Sequence, residues 1–127
     1  MCYRGIMPHP RSHESFLPLK SDVLLILLVL AARPLHGYGI IRDVEERSDG
    51  EVLLQTGALY RTLRRLLADE LIEECAPPRD AERDDARRRY YRPTALGRQV
   101  LAADVERMSL LVRAARLTTT GKRPRLA

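Results

Sequence analysis

The stretch "VLLILLVLAA", residues 23–32, is apolar on every face of the helix it would form. Such a helix is stabilised by burial on most of its sides, so the rest of a small chain must wrap around it. The run is ten residues long, too short to cross a bilayer, which takes about 20. Its flanks favour a buried helix over the core of a secretory leader. Asp22 stands directly before it and "RPLHGYG" follows, where a leader needs a basic segment and then a small-residue cleavage site. The run predicts a first helix over about residues 20–32, with Ser21 or Asp22 near its N-cap and Pro34 ending it.

Periodicity places the other elements. "HGYGIIRDVEERSDG" predicts a second helix over about 37–48, with Tyr38, Ile41 and Val44 as its apolar positions and Gly50 as a left-handed cap. A third helix is expected over about 56–69, with Thr56 as its N-cap. Leu59, Leu63, Leu66 and Leu67 form its apolar stripe, while Tyr60, Arg61, Arg64 and Arg65 lie on a basic outer face. "LIEECA" and "RRYYRPT" read as strands joined by the charged loop "PPRDAERDDARR", which together make a hairpin. Strand alternation puts one of Tyr90 and Tyr91 inside and one outside, with Tyr91 as the exposed one.

Thr94 caps a last helix expected over about 95–117, with two apolar faces. Leu96, Val100 and Ala103 suffice to dock it on a small domain. Leu101, Val105, Met108, Leu111, Val112 and Ala115 form a second face, which calls for a partner, most simply the same helix of a second subunit. Residues 1–17 lack periodicity and are expected to be a mobile arm, within which Met7 offers an alternative start; residues 118–127 are a polar, basic tail. Residues 18–94 are expected to form the domain proper, followed by the last helix over 95–117.

Lys and Arg total 22 against 17 Asp and Glu among the 127 residues, a formal charge of +5. That balance favours a polyanionic partner. Cys2 and Cys75 are far apart and lack metal-ligand spacing, so neither a disulfide framework nor a structural metal is expected, and a cytoplasmic location fits. No cofactor is expected either. The chain has no phosphate loop, nucleophile elbow or His–carboxylate pair at a useful sequence spacing, which argues against an enzyme. His36 reads as a structural residue of a turn and Cys75 as a small buried hydrophobe.

Three helices, a hairpin and a long last helix define a mainly α fold with a small two-stranded β wing, in the order of a winged helix-turn-helix domain followed by a C-terminal dimerisation helix. In such a domain one helix enters the DNA major groove and presents side chains to base edges and phosphates. Thr56 and Gly57 leave the first N–H groups of the third helix open to a phosphate. Tyr60, Arg61 and Arg64 are the candidates for base edges. Arg87, Arg88, Arg89 and Arg92 lie at the base of the wing, while Asp80, Glu82, Asp84 and Asp85 argue against phosphate contact at its tip.

The segments "LLVLAARPLHGYGIIRDVEERSDG", "GALYRTLRRLLADELIEE" and "RRRYYRPTALGRQVLAAD", with their spacing, resemble the PadR family of bacterial transcriptional regulators. The resemblance implies a homodimeric repressor on a double-stranded DNA operator, released by a small lipophilic or aromatic effector near the subunit interface. It places Tyr38 beside the DNA backbone, Gly57, Tyr60 and Arg64 on the recognition helix, and Arg88, Arg89 and Tyr91 at the end of the wing. Two features depart from the family pattern. Arg61 stands where many relatives carry Pro, and the chain has no Trp, so stacking of a flat effector between Trp rings has no counterpart here. The alternative from another class is a winged-helix protein-interaction module that does not read DNA. A metal-sensing winged helix is disfavoured by the lack of paired Cys or His.

Overall fold

A computed structural model describes residues 13–83 and 85–119. Helix α1 (Ser21–Ala32) is the central element, with Ile26, Leu27, Val29 and Leu30 buried. Lys20 occupies its N-cap without a side-chain bond, whereas the Asp22 carboxylate accepts the Val23 N–H (2.8 Å). Neither expected capping residue acts as the cap. Arg33 is extended, as befits a residue before proline, and the helix stops there.

The chain then forms a two-residue strand, β1 (Leu35–His36), and enters α2 (Gly37–Arg47). Ile40 and Val44 face the core beside Gly37 and Gly39. Tyr38 is 57% exposed, so the buried stripe of α2 runs through Ile40 and Val44, with Ile41 partly buried against the core and Tyr38 turned to solvent. The helix ends in a left-handed turn shared by Asp49 (φ 53°) and Gly50 (φ 82°). The Gly50 N–H returns to the Glu45 carbonyl (2.8 Å), the closing bond of a Schellman turn. Helix α3 (Thr56–Ala68) ends the same way, with Glu70 at φ 62° and the Leu71 N–H on the Leu66 carbonyl (2.9 Å).

Strands β2 (Ile72–Cys75) and β3 (Tyr90–Pro93) form the expected hairpin, and β1 joins it to make a three-stranded antiparallel sheet with β3 in the middle. Leu35 pairs with Tyr91 and His36 with Tyr90. Cys75 also stands opposite Tyr90, and Glu73 opposite Arg92. Tyr90 and Tyr91 are both buried, at 5% exposure each. Tyr91 belongs to the hydrophobic core. On the other face, the His36 ring meets Tyr90 edge-on at 5.2 Å, and a 3₁₀ turn, Asp85–Arg87, ends the loop between β2 and β3. The expectation that Tyr91 is exposed is therefore overturned: both faces of the central strand are covered. Cys75 is only half-buried.

Helix α4 (Ala95–Thr119) begins where Thr94 Oγ1 accepts the Gly97 N–H (3.0 Å) and donates to the Glu70 carbonyl (2.6 Å). A Cβ on Gly97 would run into the Leu71 carbonyl, so glycine is what lets α4 lie against the turn after α3. Gly97, Val100, Leu101 and Asp104 are buried. Leu101 thus belongs to the core of its own domain and is unavailable to a partner, a correction to the expected dimer face. Phe16 and Leu17 also pack on the core, so the part of the expected arm from His13 onward is docked. Residues 1–12 and 120–127, which include most of that arm and of the basic tail, lie outside the described residues.

Candidate nucleic-acid interface

One side of the molecule gathers the candidate residues from three elements. Helix α3 buries Leu59, Leu63 and Leu66. Periodicity then forces Tyr60, Arg61 and Arg64 onto the opposite side, where Tyr60 is 41% exposed and both arginines are exposed. Thr56 and Gly57 are exposed at the start of α3. The N-cap is Gln55, not Thr56, and it makes no side-chain capping bond. The first-turn N–H groups therefore have no side-chain cap, and Thr56 is the first helical residue.

Helix α2 approaches α3 closely at Gly37, where a Cβ would run into the Tyr60 hydroxyl. From the same helix, exposed Tyr38 carries the Arg42 guanidinium over its ring, 5.5 Å from the centroid. His36, Gly37, Tyr60, Arg88, Arg89 and Tyr91 line a shallow cleft of about 180 Å³ between the start of α2, α3 and the base of the wing. Tyr91 borders this cleft from the core side. Burial, the Glu74 carboxylate and Tyr60 push its phenol pKa up, with Arg89 opposing. Burial likewise raises the Tyr90 phenol and the Cys75 thiol.

Three of the four arginines at the base of the wing, Arg88, Arg89 and Arg92, are paired with carboxylates. Arg88 lies 3.2 Å from Asp85, Arg89 lies 3.7 Å from Glu74, and Arg92 Nε donates to Glu73 at 2.9 Å. Arg61 and Arg64 have no ion pair among the described residues. The Glu73–Arg92 pair follows from strand register, in which the two are directly opposed, and the Asp85–Arg88 pair is local, three residues apart.

His36 carries more than a turn residue's role. Its Nδ1 accepts the Gly39 N–H (3.1 Å) and caps α2, and its Nε2 lies 3.7 Å from Asp85. The fold thus brings together a histidine and a carboxylate that are distant in sequence. Burial lowers the His36 pKa below its ordinary value, with Asp85 raising it and Arg88 and Arg42 lowering it further. Among the described residues, no group of three His, Cys, Asp or Glu side chains is placed to hold a metal ion.

Away from this face, α4 outruns the domain. Val105, Met108, Leu110, Leu111, Val112 and Leu117 are exposed large hydrophobics. Val105, Met108, Val112 and Leu117 line an apolar groove of about 720 Å³ with Leu24 and Leu28 of α1. Leu111 and Ala115 are exposed but do not line it. The contribution of α1 was hidden in the sequence because its run is apolar throughout. No helix among the described residues is long and apolar enough to cross a membrane.

A three-helix domain with a small antiparallel sheet, an exposed basic helix and a long C-terminal helix is a winged-helix regulator in architecture. The model of the transcriptional regulator PadR-like family matches residues 26–103. The chain belongs to that family, whose members are transcriptional regulators and not enzymes. Among solved structures it is similar to a PadR-like transcriptional regulator of Bacillus cereus, with a TM-score of 0.64 and 19% identity over 86% of this chain and 96% of that one. It is also similar to a PadR family regulator of Clostridium difficile, with a TM-score of 0.63 and 22% identity over 78% of this chain and 98% of that one. At those identities the likeness concerns the fold. A protein of Lysinibacillus sphaericus of uncharacterised function is 29% identical over 90 residues, covering 66% of this chain and 80% of the relative.

Proposed function

We propose that this regulator is a cytoplasmic, homodimeric repressor that binds a pseudo-palindromic operator in double-stranded DNA. The exposed basic face of α3, set beside a wing and carrying two arginines without acidic partners, is the observation that supports this reading most directly. In it, Tyr60, Arg61 and Arg64 address base edges in the major groove, arginine favouring guanine N7 and O6. Tyr38, Thr56, Gly57, Arg88 and Arg89 position the domain on phosphates, and Tyr91 supports the cleft from within. Val105, Met108, Val112 and Leu117, with Leu24 and Leu28, meet a second copy, and Leu111 and Ala115 extend that contact along α4. Two α3 helices then enter major grooves about one helical turn apart. A small lipophilic or aromatic effector acts near the pairing groove and weakens DNA binding.

The test is a titration of duplex from the protein's own upstream region against a random-sequence duplex, each at two salt concentrations. Tighter binding to the upstream duplex, falling steeply as salt rises, is the expected result. Absence of binding to either duplex at low salt overturns the reading and leaves the protein-interaction alternative.

A further inference from the structure

The imidazole of His36 touches three elements that must be aligned for the proposed interface to work. Through Nδ1 it caps α2 by accepting the Gly39 N–H. Its edge packs on Tyr90 of the central strand. Its Nε2 faces the Asp85 carboxylate in the last turn of the wing loop, at 3.7 Å. The ring is also nearly parallel to that of Tyr38, with centroids 6.4 Å apart, and Tyr38 in turn lies under Arg42.

Because Nδ1 accepts a backbone N–H, it carries no proton, and the neutral ring holds its single proton on Nε2, the atom turned to Asp85. A second proton has to go onto Nδ1. There it displaces the Gly39 N–H and removes the cap from α2.

We propose that neutral His36 is a positioning residue for DNA binding, holding the wing turn against the first turn of α2, and that its protonation releases this arrangement and weakens binding to DNA. This rests on the DNA-binding reading given above. The groups facing the ring are Asp85 and Arg88 from the wing, Tyr38 and Arg42 from α2, and Tyr90 from β3. Asp85 is partly exposed while the His36 ring is buried, so protonation gains a pair with Asp85 but charges a desolvated ring beside Arg88 and Arg42 and gives up the cap. Protonation therefore gains less from Asp85 than it loses by desolvation and at the cap.

The sign of the linkage agrees. With the folded-state pKa held below the unfolded value of about 6.5, the unfolded chain takes up the extra proton first. The stability contributed by neutral His36 is complete above that value and is lost as pH falls below it.

The experiment compares wild type, His36→Asn, Asp85→Ala and Glu82→Ala on the upstream duplex at low salt, from about pH 8 to about pH 5.5. Asparagine keeps a capping oxygen but does not titrate. Glu82→Ala removes a wing-loop charge that no contact ties to His36, and so controls for charge alone. On acidification, wild type should lose about three- to tenfold in affinity relative to His36→Asn, the factor that loss of one cap implies. At neutral pH, Asp85→Ala should bind more weakly than Glu82→Ala by a similar factor, and imidazole nitrogen NMR should show the proton on Nε2.

Identical pH profiles for wild type and His36→Asn overturn the proposal. So does equal binding by Asp85→Ala and Glu82→Ala, or a neutral ring protonated on Nδ1. Failure of wild type to bind any duplex at neutral pH removes the DNA reading itself, and the positioning role with it.

Discussion

Two groups of arginines, one on α3 and one at the base of the wing, are held in opposite ways. Arg61 and Arg64 stand on α3 without an ion pair among the described residues, while Arg88, Arg89 and Arg92 of the wing each face a carboxylate. A count of basic residues treats the two groups alike. Physically they differ, because a phosphate approaching the wing meets a guanidinium whose charge is already offset, and it must displace Asp85, Glu73 or Glu74 to use it fully. On the proposed DNA-binding reading, Arg61 and Arg64 attract phosphate without a local carboxylate, while Arg88, Arg89 and Arg92 do so against one each.

The contrast is sharpened most by Arg64→Ala. Its loss should cost about 1–3 kcal/mol of specific binding and relax preference at one operator position, measured as affinity across single-base variants of the bound duplex. Uniform weakening on all duplexes would move Arg64 to the phosphate group. A smaller effect is expected from Thr94→Val, which loses the cap of α4 and the bond to Glu70 that ties the end of β3 to the turn after α3. Thermal or urea unfolding should show about 1 kcal/mol lower stability, with the bound sequence preference unchanged.

The smallest effects belong to the wing. Arg89→Ala should weaken all duplexes alike by less than about 1 kcal/mol, since an exposed pair with Glu74 already competes for that charge. Glu74→Gln should have the opposite sign, tightening binding and steepening its salt dependence. Equal losses from Arg89→Ala and Arg64→Ala would erase the distinction between the two groups.

What the sequence discloses follows the same division. Helices with long apolar periodicity are legible, and so is the basic face of α3, because burial of Leu59, Leu63 and Leu66 leaves Tyr60, Arg61 and Arg64 nowhere else to point. The two-residue strand β1 is not legible, since no alternation can be read from Leu35 and His36 alone. The burial of both Tyr90 and Tyr91 depends on that strand and on the returning Asp85–Arg87 turn, so simple alternation fails for them. Leu101 shares the spacing of the pairing-face residues Val105, Met108 and Val112. Only the docking of α4 shows that its first half is spent on the domain itself. In α2, Ile40 and Ile41 are adjacent apolar residues, and only the packing of the helix shows that Ile40 is fully buried and Ile41 partly so.

The central place of β3 has a consequence for how the domain assembles. One of its neighbours, β2, is near in the chain, but the other, β1, is separated from it by α2, α3 and the whole wing. The β2–β3 hairpin can form early by local search, whereas β1 can add only after the intervening helices have brought Leu35 to Tyr91. The β1–β3 pairing thus depends on the packing of the whole domain. Its amide protons should exchange with solvent only when the helices come apart, at the free energy of global unfolding, while the exposed end of α4 exchanges through local fraying.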